Sequence, residues 1–159
     1  MYVYWLKDDI NEVRLVEILA HSFHIPSLSV GELLQKKDCL VRYQKKKFGN
    51  GCDFNYEICV YPLDKLAKKY DITELRLGLF ISNSLKCAVL IDADNPFEDP
   101  YVYRLIENGK VALVDEIPKE QYGIMIKRKS RRGSGRKSRR GPSIVTFFYK
   151  RKAVGGQKP

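Results

Sequence analysis

Two Asn-Gly pairs, Asn50-Gly51 and Asn108-Gly109, each sit between runs of alternating or β-branched apolar residues, and this arrangement restricts the fold more than any other feature. A tight turn of this kind needs positive φ, which glycine adopts without steric cost and asparagine tolerates. The sequence therefore predicts two hairpins. One joins residues 39–45 to residues 54–61 across Gly49-Asn50-Gly51; the other joins residues 101–106 to residues 111–117 across Glu107-Asn108-Gly109-Lys110.

Helical signals lie between the strands. Residues 2–6 alternate as a first strand, and Asp9-x-x-Glu12 then reads as a capping box for a helix reaching about Phe23, with Val13, Val16, Leu19, Ala20 and Phe23 inward. Ser29-x-x-Glu32 opens a further short turn. Pro62 suits the first helical position of segment 62–70, and Asp71-x-x-Glu74 caps a stretch running to Leu85. In that stretch Leu75, Leu79 and Ser82 share a face, and Ile72, Leu75, Leu79 and Phe80 are the expected core. Residues 86–91 form an unbroken apolar run, which predicts a strand buried on both faces. Helices do not regularly follow strands, so the expected class is α+β: a largely antiparallel sheet of hairpins with two or three helices on one face, plus a C-terminal basic β-hairpin arm.

Charge divides the chain. Its 159 residues carry a net +10. Residues 1–125 hold 16 Lys/Arg and all 19 Asp/Glu, a balance of −3, whereas residues 126–159 hold 13 Lys/Arg and no acid. The expected organisation is an α+β body over 1–121, a basic arm over 122–152 with a flexible tip at 128–141, and a disordered tail over 153–159. Within the arm, strand-forming segments 122–126 and 143–149 bracket Arg128-Lys-Ser-Arg-Arg-Gly133 and its repeat Arg136-Lys-Ser-Arg-Arg-Gly141. Apolar runs are too short to cross a bilayer, and no basic segment followed by a long apolar stretch opens the chain. The expectation is a soluble cytoplasmic protein without a membrane partner.

Arg128, Lys129, Arg131, Arg132, Arg136, Lys137, Arg139 and Arg140 are the candidate partner- or phosphate-binding residues, because each base that neutralises a phosphate releases a condensed counterion. Three readings stay open for them: nucleic acid, an acidic protein, or a solvated loop. No aromatic residue interleaves this run. Lys45-Lys46-Lys47 extends the same surface if the two hairpins lie side by side; otherwise it guards an edge strand.

Asp92, Asp94, Glu98 and Asp99 follow a buried strand and form a possible partner surface. They lack the glycine and terminal Glu of an EF-hand loop. His21 and His24 offer two metal ligands without an identifiable third. Cys39, Cys52, Cys59 and Cys87 contain no Cys-x-x-Cys pair and read as reduced, apolar-packed residues. With no phosphate-binding glycine loop and no nucleophile elbow, neither an enzyme nor a cofactor is expected.

From Asp71 onward, Glu-Leu-Arg-Leu-Gly-Leu-Phe-Ile-Ser-Asn-Ser-Leu (74–85), Lys-Cys-Ala-Val-Leu-Ile-Asp (86–92), Asn95-Pro96, Tyr101-Val-Tyr-Arg-Leu-Ile106, Glu-Asn-Gly and Val111-Ala-Leu-Val-Asp-Glu116 together resemble the small immunity proteins of bacterial polymorphic and contact-dependent toxin systems. The likeness lies within residues 1–125 and is clearest over 71–117. It implies a compact cytoplasmic α+β protein, often acidic in that group, that neutralises a cognate toxin by binding and blocking it. The basic arm departs from that acidic character and suits insertion into an acidic cleft. The alternative is a nucleic-acid-binding module using the same arm on DNA or RNA. A third reading, a metal-dependent enzyme, would use Asp92, Asp94 and His21.

Overall fold

The computed structural model describes residues 1–35, 38–49, 51–93, 101–117 and 123–127. In chain order the elements are β1 (Tyr2–Leu6), α1 (Glu12–Ser22), a 3₁₀ turn (Ser27–Ser29), β2 (Val30–Glu32), β3 (Val41–Lys47), β4 (Tyr56–Pro62), α2 (Asp64–Lys69), α3 (Glu74–Leu85), β5 (Val89–Asp92), β6 (Val102–Glu107), β7 (Lys110–Glu116) and β8 (Ile126–Lys127). The strands make one eight-stranded sheet in the order β2-β3-β4-β1-β5-β6-β7-β8. Every pairing is antiparallel except β2 with β3. The α+β class with a mostly antiparallel sheet and three helices is therefore present; of the strand expected over 122–126 the described part is a bridge at Ile124 and β8 at Ile126–Lys127, which pairs with β7, and the other expected arm strand, 143–149, lies outside the described residues.

Both hairpins form. In β6–β7 the ladder runs to Glu107 opposite Lys110, and Asn108 and Gly109 take φ of 52° and 70°, the geometry of a tight two-residue turn. In β3–β4 the ladder stops at Lys47 opposite Tyr56, with Phe48 N–H donating to Asn55 O at 2.8 Å. Gly51, at φ 106°, thus belongs to a longer loop rather than to a two-residue turn.

Alternation along the strands divides the apolar residues between two cores. Tyr4, Leu6, Tyr43, Ile58, Val89 and Ile106 point to the helical side, where Leu15, Leu19, Phe23, Leu77 and Ile81 cover them. On the other face Leu90, Leu105, Val114 and Ala88 gather with Phe54 and Ile124. Val89, Leu90 and Ile91 are all buried, so β5 has core on both sides, as its unbroken apolar run predicts. Each such side chain stabilises the fold by about 1.5–3 kcal/mol.

The helix boundaries differ from the capping-box expectations. Asn11, not Asp9, caps α1, its Oδ1 accepting from Val13 N–H at 2.8 Å. Starting there turns Leu15 and Ile18 inward and leaves Val13 68% exposed. Thr73, not Asp71, caps α3 by accepting from Arg76 N–H. The buried side of α3 is Leu77, Gly78, Ile81 and Ser82, whereas Ile72, Leu75, Leu79 and Phe80 are only partly buried. Pro62 ends β4 and α2 begins after Leu63, so proline closes a strand instead of opening a helix. Ser29–Glu32 is a 3₁₀ end followed by β2, not a further helical turn.

No glycine marks the ends of α1 and α2; residues with a Cβ take the left-handed position instead. After α1, His24 has φ 52°; its N–H donates to His21 O and that of Ile25 to Ala20 O at 3.0 Å. After α2, Asp71 has φ 51°, with Asp71 N–H on Lys68 O and Ile72 N–H on Ala67 O at 2.9 Å. Both are the paired 5→2 and 6→1 bonds of a Schellman ending.

Candidate functional site

The chain enters the basic run from a corner held on two sides. β8 pairs with β7, Asp115 opposite Lys127 and Glu116 opposite Ile126. From the other direction Phe54 and Ile124 exchange backbone hydrogen bonds of 3.0 and 3.2 Å, and Asp53 Oδ2 accepts from Ile126 N–H at 3.1 Å. Gly123, at φ 115°, fits here because a Cβ would lie 3.0 Å from Cys52 Sγ and 3.2 Å from Phe54 O. The loop beyond β3 is thus bonded directly to segment 123–127.

The lysine triplet of β3 leads into that loop. β2 reaches only as far as Tyr43 on β3, so Lys45, Lys46 and Lys47 lie beyond it. The three lysines have different surroundings. Lys45 Nζ is tied to Asp9 Oδ1 at 2.5 Å and Ile10 O at 2.6 Å, and this ammonium holds the Asp9 carboxyl below its usual range. Lys46 and Lys47 are exposed.

Aromatic rings surround them. Lys46 Nζ stands 4.7 Å over the Phe48 ring, and Lys47 Nζ stands 5.7 Å from the Tyr56 centroid. Phe48 in turn stacks on Trp5, with centroids 5.1 Å apart and planes at 25°. The register explains the grouping. Trp5, Glu57 and Lys46 form one row across β1, β4 and β3, and Leu6, Tyr56 and Lys47 form the next row on the opposite face. Each face of this corner therefore carries a lysine beside an aromatic ring, and the stacked pair is on the Lys46 side. Glu57 is the acid within that row, and its Oε1 accepts from Cys59 Sγ at 3.6 Å. Strand alternation alone did not reveal this cluster, because it depends on β1 docking against β4; the adjacent Phe48 was the one local signal.

Other sequence-predicted residues fall elsewhere. Arg128, Lys129, Arg131, Arg132, Arg136, Lys137, Arg139, Arg140, Asp94, Glu98 and Asp99 lie outside the described residues. Asp92 ends β5 opposite Tyr103, and partial loss of solvent raises its carboxyl above the usual range. Glu74, which accepts from Val3 N–H at 2.7 Å, is raised by burial and then by the Asp92 charge.

His21 and His24 line a cleft of about 460 Å³ with Tyr70, Arg76, Phe80 and Asn83. His21 stacks on Phe80 at 5.4 Å and His24 tilts against Tyr70 at 4.9 Å. Arg76 is engaged by Asp71, its Nη1 lying 2.9 Å from the carbonyl and 3.2 Å from Oδ2. The imidazoles therefore pack as rings, and among the described residues no three His, Cys, Asp or Glu side chains are grouped to hold a metal. None of the four cysteines is in a disulfide, Cys39 and Cys87 being buried and Cys52 and Cys59 half-buried. Among the described residues no helix is long and apolar enough to cross a membrane.

No family model, no curated protein and no solved structure matches the chain.

Proposed function

We propose that the chain is a non-enzymatic binding protein for a polyanionic macromolecule, with nucleic acid as the partner its geometry suits best. The observation that carries this reading is the bond between the loop after β3 and segment 123–127. Through it the loop that follows Lys46 and Lys47, each beside an aromatic ring, is bonded to the segment that leads into the eight bases from Arg128 onward. Such a surface gains affinity by releasing counterions from phosphates.

The test is anisotropy of a labelled oligonucleotide over a salt series. It compares the full chain with a full-length variant in which Arg128, Lys129, Arg131, Arg132, Arg136, Lys137, Arg139 and Arg140 are replaced by glutamine. The expected result is weaker binding and a log-log salt slope that is shallower by about 0.7–0.9 for each phosphate the variant no longer neutralises. Equal affinity and slope for the two proteins would rule the reading out.

One observation favours a second reading. The segment that resembles immunity proteins contributes α3, β5, β6 and β7, which are consecutive in the chain and packed together, with Asp92 at the end of β5. On that reading the partner is a cognate toxin protein, and the arginines pair bidentately with carboxylates of its cleft. A stoichiometric protein partner retained after nuclease treatment, together with no affinity for oligonucleotides, would favour it.

A further inference from the structure

We propose that Trp5 and Phe48 form a stacking platform for the unpaired bases of a single-stranded nucleic acid, with Lys46 moving from the Phe48 ring to a phosphate. This inference rests on the nucleic-acid reading above and narrows its ligand.

Single-strand binders combine a basic track for the backbone with aromatic faces for the bases. Both parts are present at one corner of the sheet. Trp5 and Phe48 are each half-buried, and Trp5, packed against the smaller core, anchors the ring stacked on it. Lys46 is exposed, and its ammonium lies over the Phe48 ring. An exposed cation–π contact is weak, whereas a phosphate offers the same ammonium a full opposite charge. Moving the lysine to the phosphate takes the ammonium off the Phe48 ring, so backbone capture and base stacking reinforce each other. Lys45 does not take part, because Asp9 and Ile10 hold it in place. Lys47 and Tyr56, in the row that faces the other way, supply charge at the rim rather than a stacking surface. Glu57, in the row between Trp5 and Lys46, opposes the approach of phosphate. A duplex presents phosphates but keeps its base faces stacked, so the rings select for single strands.

Trp5 is the sole tryptophan and stacks on Phe48, so the protein carries its own reporter. The full chain is titrated, with tryptophan emission recorded, against oligothymidylate, a duplex of equal charge and inorganic polyphosphate. Three outcomes are expected. Oligothymidylate changes the Trp5 emission and polyphosphate does not; Phe48→Leu, which keeps apolar volume but removes the ring, weakens oligothymidylate binding roughly tenfold and leaves polyphosphate binding unchanged; and Glu57→Gln strengthens binding of both polyanions.

An unchanged Phe48→Leu affinity, or equal emission changes with duplex and polyphosphate, would overturn the platform while leaving polyanion binding intact. Absence of binding to all three polyanions would remove the platform and the nucleic-acid reading together.

Discussion

Phe54 and Ile124, seventy residues apart, exchange two backbone hydrogen bonds, and both side chains are buried in the smaller core. This pair joins the loop after β3 to the segment before β8, so the apolar packing beneath the sheet and the placement of residues 123–127 depend on the same contact.

Replacing Phe54 with alanine removes a side chain that is 1% exposed and is expected to cost about 3–5 kcal/mol. Urea denaturation measures the loss. Amide exchange at Ile126, whose N–H is bonded to Asp53, is expected to accelerate more than exchange in α1, which packs against the other core. Equal acceleration at both places would contradict a local tie.

His24→Gly is expected to raise stability by about 1 kcal/mol, because glycine adopts the left-handed conformation without the cost borne by a residue with a Cβ. The variant gives up the ring packing with Tyr70. A loss of stability on thermal unfolding would mean that this packing outweighs the backbone strain.

The acid-side pH dependence has a definite sign. Burial and the Asp92 charge raise the Glu74 carboxyl, so the folded state holds that proton more tightly than the unfolded state. Its contribution to stability therefore declines as pH rises from the ordinary carboxylate value through the raised one. Glu74→Gln keeps an oxygen for Val3 N–H and is expected to flatten that part of the curve and to stabilise the protein at pH 7. Denaturant midpoints between pH 4 and pH 7 check this, and an unchanged slope would count against it.

Cys87 is 7% exposed, and burial pushes its thiol up to about 11. At pH 8 it is expected to react with iodoacetamide only as fast as the fold opens, in contrast to the immediate labelling of the urea-unfolded chain. Mass mapping of the modified peptides over time measures the difference.

The elements most legible in the sequence were those set by local chemistry. Asn108-Gly109 specified its hairpin outright, and the apolar run before Asp92 announced a strand with core on both faces. Helix phase was less legible. Asp9 and Asn11 both offer a capping oxygen near the start of α1, and only the packing of Leu15 and Ile18 decides between them. His24 and Asp71 end helices where the usual glycine signal is missing. Of the site, the lysine triplet and Phe48 were visible as a string, but Trp5 joins them through the register of β1 on β4, which follows from the assembled sheet.

The position of β1 also orders events during synthesis. Its strand leaves the ribosome before either of its neighbours, which are residues 56–60 on one side and 89–90 on the other. Tyr4 and Leu6, both fully buried in the finished fold, must wait for β4 before one edge is paired and for β5 before the second is. Such distant partners slow folding, and until β5 arrives the nascent chain carries an apolar strand with an edge still unpaired. That interval is when a chaperone, or a neighbouring nascent chain, would meet it.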